Sequence, residues 1–199
     1  DDCSTDNTVA ILEKYEADYP FVRLYVNEHN IGYNQNFKSA VMKATGDYIA
    51  ISDQDDVWFP QKPERQVNVI ANYDICFSQY FTGNLLEDAV LFSKVNFSLE
   101  SLIFRNVIPG HTMLIKKSFA QNNDVWIDGI TYDWSLSVCA QMQNGIILFE
   151  EPLSWHRKHE ESAIYKRQEK HFPNVHYSVY KPYLYGFSNY RKLQKKPLW

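Results

Sequence analysis

The chain has 199 residues, 45% of them hydrophobic and 16% aromatic, with a net charge of −4. This length suits one packed domain and is short for two, and seven Gly and eight Pro exclude a low-complexity chain. Three widely spaced cysteines (Cys3, Cys76 and Cys139) argue against a disulfide framework or a zinc site and point to a reducing compartment.

The charges are unevenly spread. From Tyr165 to Trp199, eight Lys or Arg face Glu169 alone, so this stretch carries +7 and the first 164 residues −11. An acidic body argues against a nucleic-acid-binding surface. The basic tail interleaves its charges with Tyr165, Tyr177, Tyr180, Tyr183, Tyr185 and Tyr190. Such a mixture suits peripheral contact with an anionic membrane, or packing on the domain or on a second subunit. No apolar run approaches the ~18 residues of a membrane span, and no signal peptide is visible, so the chain reads as cytoplasmic. It opens on Asp1-Asp2 without Met, and a native N-terminal segment is expected to precede it.

In chain order, Ser4 or Thr5 is expected to cap a helix running to about Tyr15, with Asp6 in its first turn. Phe21 to Asn27 alternates and reads as a strand. Phe37, Ala40, Val41 and Ala44 mark a second amphipathic helix, ended by Gly46. Tyr48 to Ser52 is a short apolar run between turn signals and reads as a buried strand. Further strands are expected at Tyr73–Gln79, Ala89–Ser93, His111–Lys116 and Ile146–Phe149, and a helix at Trp134–Gln143. Alternating helices and strands, followed by clustered strands, predict an α/β domain with a mixed sheet over residues 1–164 and an extension over 165–199.

Six segments could carry chemistry. Asp53, Asp55 and Asp56 place three carboxylates within four residues at a strand's carboxyl end, where α/β sheets collect ligands. Without a cation these groups raise one another's pKa. Mg²⁺ is commonly held by one or two such carboxylates and completed by substrate phosphates. An EF-hand is excluded, because its glycine and glutamate positions fall on Trp58 and Glu64. The same run would also serve as a solvated turn before Pro60. Asp1 and Asp2 could meet a nucleobase or ribose, or simply cap a helix. In Asn30-Ile31-Gly32-Tyr33-Asn34-Gln35-Asn36 the glycine permits a close approach, and Asn36 could cap a helix or reach a ligand. Gly110 and His111 precede an apolar strand and could line an acceptor pocket or form a plain turn. Asp133, between Tyr132 and Trp134, is a helix cap or a desolvated general base. In Trp155-His156-Arg157-Lys158-His159, an extended backbone places Arg157 and His159 on one face and His156 and Lys158 on the other. Arg157 and His159 could then meet a diphosphate or a metal.

In this order and spacing the segments resemble the inverting family-2 glycosyltransferases of GT-A fold, and among them the bacterial rhamnosyltransferase-like branch. The residues carrying the resemblance are Asp-Asp-Cys-Ser-Thr-Asp-Asn-Thr at 1–8, Asn-Ile-Gly-Tyr-Asn-Gln-Asn-Phe at 30–37, and Gly-Asp-Tyr-Ile-Ala-Ile-Ser-Asp-Gln-Asp-Asp-Val-Trp at 46–58. They continue with Pro60 and Lys62, Gly-His-Thr-Met at 110–113, Tyr-Asp-Trp at 132–134 and Trp-His-Arg-Lys-His at 155–159. The resemblance implies a three-layer GT-A fold that lacks its first strand, helix and strand here. It implies that Asp1, Asp2, Asn30, Asn36, Asp53 and Arg157 bind the nucleotide-sugar. Asp53 and Asp55 form a DXD motif, and Asp55, Asp53 and His159 hold Mg²⁺ or Mn²⁺. Asp133 is the catalytic base, and the acceptor approaches Gly110 and His111. The implied partners are a UDP- or dTDP-sugar and a glycan or lipid-linked acceptor, in bacterial cell-surface polysaccharide biosynthesis. Cys3 stands where the family commonly has Gly. A non-catalytic scaffold domain and a metal-dependent phosphohydrolase are the alternatives from other classes.

Overall fold

The computed structural model describes residues 1–93 and 95–159. The chain packs as two compact units, Asp1–Thr45 and one that begins at Gly46. The expected extension over 165–199, with its membrane contact, lies outside the described residues. Among those described, no helix is long and apolar enough to cross a membrane.

The first unit holds helices α1 (Thr8–Asp18) and α2 (Tyr33–Lys43). Helix α1 starts later than the expected cap at Ser4 or Thr5. Ser4 is occupied elsewhere, giving its backbone N–H (2.8 Å) and its hydroxyl (2.5 Å) to the Asp1 carboxylate. Asp6 supports the first turn instead, accepting the Thr8 N–H at 2.9 Å. The strand expected over Phe21–Asn27 is not formed. The Asp1 amino group donates to the Tyr25 carbonyl and the Asn27 N–H to the Asp1 carbonyl. That is the pattern of a single parallel bridge at Val26, too short for a ladder. Asn36 does not cap α2 but lies inside it. The cap is Gly32 at φ +83°, whose carbonyl accepts the Asn36 N–H.

The second unit is built on the mixed sheet that the sequence predicts. Its strands are β1 (Tyr48–Ala50), β2 (Val57–Trp58), β3 (Ile75–Gly83), β4 (Val90–Phe92), β5 (Met113–Lys116) and β6 (Ile146–Arg157). Its helices are α3 (Lys62–Ile70), α4 (Leu99–Phe104), α5 (Lys117–Ala120) and α6 (Tyr132–Gln141), with 3₁₀ turns at Gly110–Thr112 and Asn123–Val125. The strand order is β1-β5-β3-β6-β2, and β4 also pairs with β3. Strand β3 is parallel to β6; the other pairs are antiparallel.

Burial explains these elements. Pro63 and Glu64 stand in the first turn of α3, where a missing N–H and a negative charge are favourable. Lys62, Gln66 and Ile70 follow at helical spacing and are buried on one face. Ile70 packs with Cys76 of β3 and Leu114 of β5, and Ala50, Val69, Ile147 and Phe149 pack around them. At 0% exposed, Lys62 is an unusual core residue. Its ammonium donates to Gln66 Oε1 (2.8 Å) and the Met113 carbonyl (3.4 Å) and lies 4.3 Å from the centre of the Trp58 ring. Desolvation pulls its pKa down to about 8.

Strand β6 is three times the four-residue strand expected at Ile146–Phe149. Glu150, Glu151 and Pro152 lie just past that expected end. The ladder absorbs them in an irregularity, where Ser78 pairs with Phe149 but Gln79 with Pro152. Beyond it, β6 continues between β3 and β2 to Arg157. This continuation brings the C-terminal basic segment to the acidic run.

Candidate active site

The acidic run occupies the link between β1 and β2, beyond the carboxyl end of β1. Strand β2 pairs antiparallel with β6, with Val57 opposite Trp155. The next position outward sets Asp56 opposite His156. Their side chains meet, Asp56 Oδ1 lying 2.8 Å from His156 Nδ1. The Arg157 N–H adds a 3.3 Å bond to the same oxygen. Just past the strand, His159 Nε2 lies 2.7 Å from Asp55 Oδ2. His156 and His159 therefore both reach the acidic run, although simple alternation places them on opposite faces. The reason is that β6 ends at Arg157, so alternation no longer governs His159.

Asp53, the first carboxylate of the run, is crowded by like charge. Desolvation raises its pKa to about 6, and the like charges of Asp56, Asp55 and Asp133 add to the effect. The Asp133 carboxyl is thus close enough to Asp53 to be felt. It sits in the first turn of α6 and accepts the Trp134 N–H at 2.9 Å. Burial pushes its pKa up, against hydrogen bonds from Thr131, Asn106 and the Trp134 N–H. The structure therefore gathers Asp53, Asp55, Asp56, His156 and His159 within this unit, with Asp133 within electrostatic reach of Asp53.

Gly110 and His111, expected at the acceptor, are both buried. The His111 ring is held edge-on against Tyr80 (4.9 Å) and stacks on His156 (5.3 Å). Its Nδ1 lies 3.2 Å from Ser154 Oγ and 3.5 Å from Asp56 Oδ2. Burial lowers the His111 pKa to about 4, more than the Asp56 charge raises it. His156 is shifted upward, chiefly by its hydrogen bond to Asp56. At neutral pH His111 is therefore neutral.

Gly110 is required by its neighbour. A Cβ at this position would overlap the hydroxyl and ring of the buried Tyr132. Gly110→Ala is expected to destabilise the protein by about 1–3 kcal/mol through overpacking. Urea unfolding checks this, with a lowered midpoint and an unchanged slope as the expected result.

Asp1, Asp2, Asn30 and Asn36 belong to the first unit, where they form one local network. The Asp2 carboxylate accepts the N–H groups of Ile31 and Gly32, each at 2.8 Å, and Asn27 Nδ2 at 3.0 Å. These bonds, the one from Ile31 first, hold its pKa below the usual carboxylate value. Asn30 Nδ2 donates to the Asp2 carbonyl, and Asn27 Nδ2 donates to Asn36 Oδ1. Asp2 thus shapes the 30–32 loop directly.

Sequence reasoning missed Ser154 and Tyr80, and it placed Asp56 in the acidic run and His156 in the basic segment without pairing the two. Only the length of β6 would have revealed the pairing of Asp56 with His156. The side chain of Arg157 is exposed at the end of that strand.

The chain matches the family model for Glycosyl transferase family 2 over residues 1–119. It is 27% identical over 186 residues to the dTDP-rhamnosyl transferase RfbG of Shigella flexneri, covering 82% of this chain and 63% of that one. Its fold is similar to that of S. aureus TarS 1–349 in complex with UDP-GlcNAc, with a TM-score of 0.66 and 17% identity over 95% of this chain and 55% of that one. It is also similar to the mannosyltransferase PcManGT of Pyrobaculum calidifontis, solved with GDP-Man and Mn²⁺. There the TM-score is 0.56 and the identity 16%, over 98% of this chain and 61% of that one. These likenesses show the fold, the GT-A architecture of helices on a mixed sheet. The chain spans about half the length of the curated relatives it matches. With more than half of its residues inside the family model, this chain belongs to glycosyl transferase family 2.

Proposed function

We propose that this chain carries the catalytic site of an inverting glycosyltransferase. It moves a hexosyl or rhamnosyl group from a UDP- or dTDP-sugar to a hydroxyl of a glycan or lipid-linked acceptor, in bacterial cell-surface polysaccharide biosynthesis. One observation carries the reading: a carboxyl pushed upward by burial, Asp133, stands close to an acidic run at a strand's carboxyl end. Such a pair divides the labour of sugar transfer. One carboxylate takes a proton and the others manage phosphate charge.

In the reaction, Asp133 accepts the proton of an acceptor hydroxyl as its oxygen attacks the anomeric carbon. The bond from that carbon to the diphosphate oxygen breaks in the same displacement, and the anomeric configuration inverts. Asp55, with Asp53 and His159, is the set suited to Mg²⁺ or Mn²⁺. The chemistry of these donors fits: burial first and like charge second lift Asp53 to about 6, and a divalent cation would relieve the like-charge part. Bound there, the ion would neutralise charge growing on the departing diphosphate. Arg157, exposed beside the run, is assigned to the diphosphate. Asp1, Asp2, Asn30 and Asn36 are assigned to the nucleotide, Asp2 through the loop it organises. Gly110 and His111 are buried and are assigned a role in shaping the acceptor side.

RfbG is named for dTDP-rhamnose, and the two structural relatives were solved with UDP-GlcNAc and GDP-Man. The common chemistry is a nucleoside diphosphate sugar. UDP or dTDP with Mn²⁺, at 100 times its Kd, is expected to add about 2.7 kcal/mol of stability. For a chain of this size that raises the melting temperature by roughly 5–10 °C. Absence of a shift with every nucleoside diphosphate would favour a non-catalytic scaffold and sink the proposal.

A further inference from the structure

We propose that Asp56, His111 and His156 form a second metal site, of the borderline transition-metal class that takes Zn²⁺ or Co²⁺. It would be separate from the carboxylate set assigned to the diphosphate and would pin the acidic run to β6. The three residues come from three places in the fold. Asp56 ends the acidic run, His111 lies in the 3₁₀ turn before β5, and His156 lies near the end of β6. Each offers a ligand atom, and these atoms lie within 4.8 Å of one another.

Two features indicate a cation here. The first is the donor set. Two imidazoles and one carboxylate suit zinc and its neighbours, whereas Mg²⁺ and Ca²⁺ prefer oxygen alone. The second is Asp56 Oδ2. The Asp56 side chain is 1% exposed, and this oxygen is buried with no hydrogen-bond donor among the described residues. It faces His111 Nδ1 at 3.5 Å, and the other carboxylate oxygen faces His156 Nδ1 at 2.8 Å. A buried carboxylate oxygen without a partner is costly. A cation bound between it and the two rings satisfies it.

The site needs a small adjustment. Bonds of about 2.1 Å give a tetrahedron with edges of roughly 3.4 Å, shorter than the 4.8 Å bound on the ligand atoms. His156 can supply the movement, because its side chain is 30% exposed while His111 is held at 4%. The same exposure leaves a coordination position to solvent. The protein-only arrangement that competes with metal is a proton shared by His156 and Asp56.

The test uses the whole chain, stripped of metal by a chelator and titrated with Co²⁺ or Zn²⁺ near neutral pH. The Asp55→Ala variant is titrated in parallel, so that the diphosphate set does not contribute. One Co²⁺ per chain, with the intense visible absorption of four-coordinate cobalt, is expected in Asp55→Ala, and at least that one in the wild type. His156→Gln is expected to weaken binding more than about 100-fold, beyond what loss of an outer partner costs. Zn²⁺ should raise the melting temperature of the wild type and not of this variant. The wild-type cobalt spectrum gives a readout that needs no variant to fold. Failure of the wild type to take up Co²⁺ or Zn²⁺ overturns the proposal in favour of the shared proton. Uptake lost in Asp55→Ala but kept in His156→Gln overturns it too. Neither result bears on donor binding with Mn²⁺, so the sugar-transfer reading stands or falls separately.

Discussion

Replacing Asp133 with Asn is expected to lower turnover by about 10²–10⁴-fold, the range for loss of a general base. The substitution keeps the shape of the side chain and an oxygen that can accept the Trp134 N–H. It removes the ability to take a proton, together with one of the two oxygens that accept the bonds from Thr131 and Asn106. Donor binding should be unchanged, so kcat and kcat/KM fall together. The pH dependence sharpens the test. The folded-state pKa of Asp133 is raised, chiefly by burial. Wild-type activity should therefore rise with pH as this carboxyl ionises and level off above its raised pKa, and the Asn variant should lack that limb. Stability should move the other way. An acid with a raised folded pKa contributes stability below its unfolded pKa, about 3.9, that is lost as pH rises through the folded value. At neutral pH the Asn variant escapes that cost, and its melting temperature, measured beside the turnover, separates lost chemistry from lost fold. The assay takes as donor whichever nucleotide-sugar raises the melting temperature. Wild-type turnover in Asp133→Asn, with donor binding intact, would remove the base role from this residue.

The features legible in the sequence were those with local causes. Tyr48 to Ser52 announced a strand, and the carboxylates after it stand where strand ends place ligands. Tyr132-Asp133-Trp134 opens a helix as read. What stayed hidden depends on residues far apart in the chain. The strand expected at Ile146–Phe149 runs on through Glu150, Glu151 and Pro152, because the ladder irregularity that admits them is a property of β3 and β6 together. Without the length of β6, nothing linked Asp56 to His156. The buried Lys62 is equally opaque, since Gln66, Trp58 and the Met113 carbonyl become its partners only in the fold. The need for glycine at 110 is set by Tyr132. Phe21–Asn27 shows the converse error. Its alternation is real, and Asp1 pairs with Tyr25 and Asn27 on either side of Val26, but no ladder of strand bonds extends over the described segment.

Asp55→Ala is expected to abolish metal-dependent donor binding, a loss of more than about 100-fold, since even outer-shell partners are worth 10–100-fold. A hard divalent ion shared with a diphosphate leans on one or two carboxylates, and no backbone group here replaces them. In the metal-free protein Asp55 Oδ2 is engaged by His159 Nε2 at 2.7 Å. The Ala variant leaves to solvent an imidazole that is already 34% exposed, so the fold should hold. The electrostatics make a finer claim. Asp53 is lifted to about 6 by desolvation first, then by Asp56, Asp55 and Asp133. Metal must displace its proton, so Mn²⁺-dependent binding of UDP or dTDP by the wild type should strengthen as pH rises through about 6 and then level off. Deleting Asp55 removes one of the like charges, so Asp53 should titrate at lower pH in the variant. Calorimetry of Mn²⁺ with UDP or dTDP over a pH series reads affinity and pH limb together. Unchanged binding in Asp55→Ala would take the metal away from this run. A limb near pH 6 that survives with full affinity would show that Asp53 titrates without Asp55's help and that the two carboxylates do not act as one site.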